Sequence, residues 1–262
     1  DREGLKATGL ASSYKDFPVS LEITSDWDAD EVFRASLHGN LPVEKVVPDD
    51  LLQREPLFSQ ATGTGRWDIS LSVASVAGSE DRETWLEIYS GLEGISIDLP
   101  APLEKSAELS WPLLVRYPIR AENNILTADL PGRLQFKMEL SKDDARPIRA
   151  AVQLGGKVEN LPDLGLFVVN GSTSMYDLDG WIDLTVERLS ETEDVGGLTL
   201  QTASVDAGQV MILDRRFDEV GLEMLYDDGV IIGDFESEDI NGTVRYYKNE
   251  EGSHSMSGEF ER

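Results

Sequence analysis

Hydrophobic and polar residues alternate along most of this 262-residue chain. A period of two sends successive side chains to opposite faces of an extended strand, so each such run predicts a strand with one apolar and one wet face. Val19, Leu21 and Ile23 share one phase, and Phe33, Ala35 and Leu37 repeat it. Trp67, Ile69, Leu71 and Val73 alternate with Asp68, Ser70 and Ser72. The cleanest run sets Leu134, Phe136, Met138 and Leu140 against Gln135, Lys137 and Glu139, and Ile148, Ala150, Val152 and Leu154 follow it. Residues 164–170 read as a more continuously apolar strand.

The stretch Thr84–Val115 is the most distinctive. Ile95, Ile97 and Leu99 alternate with Ser96 and Asp98, and Leu109, Trp111, Leu113 and Val115 take up the same period further on. Between them Pro100 and Pro102 remove two backbone donors. Regular pairing must lapse there, and the pattern predicts three extended segments around a bend.

The period changes in two places. Pro48 with Asp49 and Asp50 suits the start of a short helix over 48–59, which Pro56 curtails. Leu178, Trp181, Ile182, Thr185, Val186 and Leu189 fall on one face of a 3.6-residue repeat. Asp177 and Asp179 stand as caps, so a helix is expected from Leu178 to Leu189. Strands resume at Leu198–Thr202, Val205–Leu213, Val220–Tyr226, Val230–Phe235, Gly242–Tyr247 and Ser255–Phe260. Asp227-Asp228-Gly229 signals a hairpin between two of them. The pattern predicts about fourteen strands, mostly joined by hairpins, with one or two short helices. The fold class is all-β and mainly antiparallel, and one continuous sheet system is expected rather than two domains.

Charge narrows the partners. The formal net charge is -27, and residues 191–262 alone hold 18 carboxylates against 5 basic residues. Such a field repels phosphate backbones, which excludes nucleic acid as a partner. There is no cysteine, so disulfides, thiol catalysis and Cys-ligated zinc are excluded. No apolar run is long enough to span a membrane. The chain lacks an initiator Met and a signal-peptide pattern, so it is expected to be one segment of a longer protein whose anchor lies elsewhere.

Catalytic chemistry finds little support. The two histidines, His38 and His254, read as ordinary surface or partly buried side chains. No Gly-x-Ser-x-Gly elbow, HExxH helix or phosphate-binding loop occurs. Asp26, Asp28 and Asp30 offer oxygen ligands at alternate positions, but the rest of a calcium loop is missing, and a solvated acidic turn explains them. Trp27, Trp67, Trp85, Trp111 and Trp181 are candidates for sugar stacking, but Trp67 and Trp111 share a phase with aliphatics and read as core. A glycosidase needs two carboxylates at a defined separation, and 50 carboxylates in a sequence say nothing of that separation. The expectation is a non-enzyme without cofactor or metal.

So many half-apolar strands must cover their apolar phase. They close into a barrel, fold into a sandwich, or curl into a trough lined for an apolar ligand, and periodicity alone does not separate these. The segment SGLEGISIDLPAPLEKSAELSWPLLV (90–115) resembles part of the YhdP-like proteins of the AsmA/TamB superfamily: a Ser-x-Leu-x-Gly step, a Leu-Pro-x-Pro-Leu-x-Lys bend, then a strand. Gly63-x-Gly65-x-Trp67-x-Ile69 is similar to the strand that precedes this motif. Val169-Asn170-Gly171, Leu178-Asp179-Gly180-Trp181, Phe217-Asp218-Glu219-Val220 and Ile240-Asn241-Gly242-Thr243-Val244 resemble later motifs in the same order. The resemblance covers roughly residues 60–250. It implies a bridge-like lipid-transfer protein of Gram-negative bacteria, anchored in the inner membrane and crossing the periplasm. Its curled β-sheet would form a hydrophobic groove that conducts phospholipids toward the outer membrane and serves outer-membrane biogenesis. It carries no catalytic residue over. The net charge is the departure, being acidic for a partner of anionic lipids.

The expected function is therefore a periplasmic lipid-conducting segment, residues 1–262 forming one elongated β-groove that shields phospholipid acyl chains. The expected groove lining is Ile69 and Leu71, Ile95, Ile97 and Leu113, Leu134, Phe136 and Met138, and Ile148 and Val152. A closed sandwich or barrel that binds a glycan or a protein is the alternative.

Overall fold

The computed structural model describes all residues except 1–3, 27–29, 48–58, 76–81, 121–123, 145, 192–197, 213–214, 228–229, 239–240, 249–253 and 262. The described residues form seventeen strands and two helices. The fold is all-β, mainly antiparallel and not closed into a barrel. The chain divides into two compact units: residues 1–99 with 103–131, and residues 100–102 with 132–262.

In the first unit, β1 (Lys6–Tyr14), β2 (Phe17–Ser25), β3 (Glu31–Pro42), β4 (Ala61–Ser75) and β5 (Arg82–Ser90) pair antiparallel in chain order. β7 (Leu113–Arg120) pairs with β5, and β8 (Ile125–Leu130) pairs with β7. The three-residue β6 (Ile95–Ile97) pairs instead with the start of β4. A single turn of helix, α1 (Val43–Val46), follows β3. The helix expected over 48–59 lies almost wholly outside the described residues. β1 escapes the periodicity because most of its side chains are exposed, so no apolar phase marks it.

The strand expected from Leu109 begins only at Leu113. Pro112 cannot donate to a ladder, and Leu109 and Trp111 do not share an environment: Leu109 is 49% exposed and Trp111 is buried. Residues 91–112 form instead a knot of backbone bonds laid over one end of the sheet. The Gly94 N–H donates to Ala107 O at 2.8 Å, and the Trp111 N–H to Gly91 O at 2.8 Å. Ile97 and Lys105 exchange both backbone bonds, at 2.8 and 2.9 Å. Gly94 has φ +82°, and a Cβ there would strike the Thr64 carbonyl. Reciprocally, a Cβ on Gly63 would strike the Gly94 carbonyl, so these glycines let the knot lie flat on β4.

Lys105 holds the knot from inside. It is 2% exposed. Its ammonium donates to the carbonyls of Leu92 and Ile95, each at 2.7 Å, and to Ser106 O at 3.0 Å. Burial pulls its pKa below the ordinary lysine value, against the opposing pull of Glu108 and Glu93. The buried Ser90 hydroxyl donates to Arg66 O and accepts from the Leu92 N–H. The Ser-x-Leu-x-Gly and Leu-x-Lys steps of the motif are thus the parts of one cage.

In the second unit, β9 (Leu134–Leu140) and β10 (Pro147–Leu154) form a hairpin. Hairpin connection then gives way. β11 (Leu166–Thr173) lies parallel to β10, and β13 (Thr199–Ile212) lies parallel to β11. A parallel pair needs a crossover, which here is supplied by residues 155–165 and by β12 (Tyr176–Asp177) with α2 (Leu178–Glu191). β14 (Arg215–Asp227), β15 (Val230–Glu236), β16 (Asn241–Lys248) and β17 (His254–Glu261) continue antiparallel. Asp227 opposite Val230 leaves a two-residue connection, as the Asp-Asp-Gly signal predicts. The runs at 198–202 and 205–213 merge into the single strand β13, because Ala203-Ser204 contains no breaker.

Helix α2 forms where the 3.6-residue period places it. Asp177 Oδ1 accepts the Gly180 N–H at 3.0 Å and so caps its start. Pro100-Ala101-Pro102 belongs to this unit. The Ala101 carbonyl accepts the Trp181 indole N–H at 2.9 Å and the Asp177 N–H at 3.1 Å. Tyr176 stacks on Trp181, ring centroids 6.4 Å apart.

Burial pushes the Tyr176 phenol up to about 12, from the ordinary 10.0. A raised acid favours the folded state while it keeps its proton, so this contribution is complete below pH 10 and is lost as pH rises through about 12. The linkage is worth about 3 kcal/mol. Unfolding of the second unit is expected to become easier over that range, followed by denaturant titration, and Tyr176→Phe is expected to flatten the dependence. An unchanged slope in the Phe variant refutes the assignment.

Candidate functional site

Residues directly opposite each other in a ladder share a face. The registers of the first unit therefore build rows that run across the strands. One row is Leu10, Leu21, Leu37, Ile69, Ile88, Val115 and Ala128. The next is Ala7, Ile23, Ala35, Leu71, Leu86 and Tyr117. Phe33 opposite Val73 begins a third. Every member of the first two rows is apolar, and the sequence pattern of five separate strands becomes one continuous surface.

The two ends of this face differ. Toward the end covered by the 91–112 knot, Val19, Leu41, Val43, Trp67, Leu92, Ile95 and Trp111 form a buried cluster, with Leu37, Ile69, Ile88, Ile97 and Leu113 packed against it. Beyond it Ile23, Phe33, Ala35, Leu71, Val73, Leu86 and Tyr117 stay half-buried and lie outside the cluster. They form an apolar lane. The row through Leu71 crosses six strands, which at about 4.8 Å per strand makes it about 24 Å long.

The second unit repeats the arrangement. Leu154, Val205, Leu222 and Phe235 join Tyr176 and Leu178 in a buried cluster. Leu134, Val152, Val169, Trp181, Ile182, Met224 and Val244 pack against it. The adjacent row is Phe136, Val152, Val169, Ala203, Met224, Gly233 and Val244. Phe136, Met138, Ile148 and Phe167 are half-buried outside the cluster.

The ten expected lining residues thus fall into three groups. Ile95, at 1% exposed, is core. Ile69, Ile97, Leu113, Leu134 and Val152 border the two cores. Leu71, Phe136, Met138 and Ile148 lie on the half-buried surface beyond them. Leu86, Tyr117 and Phe167 belong to the same surface. The alternation alone did not single them out; their register partners do.

The opposite face is charge-paired, although Ser72, Gln135 and Ala151 are buried on it. Arg116 Nε lies 2.7 Å from Glu87 Oε1, Arg34 bonds Glu31, and Arg149 bonds Glu139. His38 Nδ1 lies 2.6 Å from Asp68 Oδ1 on the neighbouring strand. The Arg116–Glu87, Arg149–Glu139 and His38–Asp68 pairs tie neighbouring strands, each at a gain below about 1 kcal/mol. A polar cavity of about 310 Å³ opens between residues 157–160 and Ala151, Val152, Gln153 and Asn170.

Trp67 and Trp111 are core, and the Trp67 indole donates to Leu41 O at 3.0 Å. Trp85 sits on the outer face beside Glu83, at 3.3 Å, and Trp181 packs within the second unit. Trp27 lies outside the described residues. Among the described residues no group of three or more His, Asp or Glu side chains is placed to hold a metal ion.

The sequence model described as YhdP protein matches residues 1–262. The chain belongs to the YhdP family. The family is of AsmA/TamB type and is one of lipid transport rather than of enzymes. No curated protein and no solved structure matches the chain. Among the described residues no helix is long and apolar enough to cross a membrane.

Proposed function

We propose that this chain is a periplasmic segment of a longer, inner-membrane-anchored protein, and that it conducts phospholipids by sheltering their acyl chains on its half-buried apolar rows. One observation carries the reading: in each unit the strands align apolar side chains into rows that continue past the buried core. A row of about 24 Å exceeds the roughly 15 Å spanned by the acyl chains of one leaflet, half of a bilayer core. Each methylene sheltered there is worth about 0.8 kcal/mol. Headgroups would stay in water at the strand ends. A closed barrel finds no support in ladders that do not close.

Photo-crosslinking in cells tests this. A photoreactive residue at Leu71, Phe136 or Met138 is expected to capture phospholipid, and one at Ser70, on the opposite face, is not. Absence of adducts across all apolar-row positions, or equal capture on both faces, overturns the reading.

A further inference from the structure

Residues 155–165 cross the face of the second unit opposite its apolar rows, and side chains of that face hold them in place. Val158 is 5% exposed. Its N–H donates to Gln135 Oε1 at 3.0 Å, and its carbonyl accepts the Lys137 ammonium at 2.7 Å. Arg149 Nη1 donates to Pro162 O at 3.1 Å. Against this fixed wall lies the cavity of about 310 Å³. Gln153 and Asn170 line its floor, directly opposite each other in the β10–β11 ladder. Lys157, Glu159 and Asn160 line it from the crossover. Glycines keep the floor open: a Cβ on Gly171 would come within 2.8 Å of Gln153 Nε2, and one on Gly156 within 3.4 Å of Gln153 Cγ.

Both floor amides are half-buried, yet among the described residues neither side chain has a hydrogen-bond partner. Polar groups withdrawn into a fold are normally bonded within it, and these two face the cavity instead. We infer that the cavity binds one saccharide unit, a neutral ring with neighbouring hydroxyls. Each amide presents a carbonyl acceptor and an amino donor, and a hydroxyl both donates and accepts. Two amides side by side, on strands about 4.8 Å apart, offer alternating acceptors and donors to hydroxyls on adjacent ring carbons. Such hydroxyls replace water at the amides without leaving them unpaired. The volume stands at the lower limit of small-molecule sites, about 300–1,000 Å³, which suits one ring. Charge points the same way. Lys157 and Glu159 cancel within the lining, and a net charge of -27 disfavours an anion. The floor lies on the face opposite the acyl-chain rows, so the inference stands apart from the lipid-conducting reading.

The test titrates the isotope-labelled chain with the methyl glycosides of glucose, galactose and N-acetylglucosamine, and with glucuronate, and follows its amide signals by NMR. About four hydrogen bonds of neutral strength place the dissociation constant on the order of 1 mM. At least one glycoside is expected to move the side-chain amide signals of Gln153 and Asn170 and the backbone signal of Gly171 in a saturable way. Glucuronate is expected to bind more weakly than that glycoside. Gln153→Met and Asn170→Leu, which keep shape and remove the amide, are each expected to weaken binding at least about tenfold. The tetrasaccharide of the best-bound sugar then separates the sources. Tighter binding than the glycoside assigns the cavity to one unit of a glycan chain, and equal binding assigns it to a free sugar. No saturable shift with any glycoside at about ten times the expected constant, tighter binding of glucuronate, or native affinity in both variants overturns the inference. The titration of the native chain decides the matter even where a variant does not fold.

Discussion

Lys105→Met is expected to cost the first unit about 2–4 kcal/mol of stability, the scale of leaving buried carbonyls without their donor. Methionine keeps most of the stem and its packing but brings no donor. The carbonyls of Leu92, Ile95 and Ser106 then lose the ammonium that they share at 2.7–3.0 Å. An orphaned buried acceptor costs about 1–3 kcal/mol. Relief from burying a charge, the same burial that pulls the Lys105 pKa down, offsets part of that sum. Against a whole-domain stability of about 5–15 kcal/mol the loss is large. Arginine is not a rescue, since its planar fork does not fit a pyramid of three carbonyls. Hydrogen exchange should locate the damage: the amides of Gly94, Ile97 and Trp111, all bonded within the knot, are expected to lose protection before those of β3. Stability unchanged in Lys105→Met would show that the cage is ornamental.

That residue also marks where sequence reasoning ran short. The Leu-Pro-x-Pro-Leu-x-Lys bend was visible as a break in pairing, because prolines announce lost donors. Its purpose was not visible. A lysine in a sequence reads as a solvated charge, and only the fold shows three carbonyls converging on it. The alternation through Leu109 and Trp111 misled for a related reason. Period two is a property of extended backbone, and an irregular segment can mimic it over a few residues. Helix α2 was legible almost to the residue, because a 3.6-residue period and an acidic cap act within one local segment. The parallel pairing of β10, β11 and β13 was not, because a strand pattern records which phase is apolar and not which neighbour it meets.

The candidate site divides the same way. Phase assigned Leu71, Phe136, Met138 and Ile148 to an apolar face; the registers keep the first three there, and Ile148 falls at the register shift between Pro147 and Arg149. Phase could not tell Ile95 from Leu71. Both alternate with polar neighbours, yet the knot over β4 seals one and leaves the other half-open. The difference lies in what packs on top, which is long-range information. Tyr117 shows the converse. Pro118 beside it argues against a central strand, yet β7 pairs with β5 and shifts register at Trp85 opposite Pro118, and Tyr117 still joins the row of Leu71 and Leu86.

Leu71→Asp is expected to reduce lipid retained by the chain roughly 100-fold while leaving it folded. Leu71 lies mid-row, between Ala35 and Leu86, on the half-buried part of the face. A carboxylate there keeps its hydration shell and denies contact to about four methylenes of an acyl chain, a loss of about 3 kcal/mol at 0.8 kcal/mol each. Every 1.4 kcal/mol is a factor of ten in affinity, which gives about two decades. The folding cost stays moderate because the side chain reaches water. Ile95→Asp, with the same chemistry in the closed core, is expected to unfold the first unit instead. Thr127→Asp supplies the control for charge alone, since it stands on the wet face opposite Arg116. Retained lipid is measured by mass spectrometry of the purified chain, and folding by hydrogen exchange on the same samples. If Leu71→Asp and Thr127→Asp retain lipid equally, the apolar row is not where the acyl chain lies. If Leu71→Asp alone empties the chain while its exchange pattern stays native, the row acts on the lipid directly, because a structural role would have opened β3 and β5 as well.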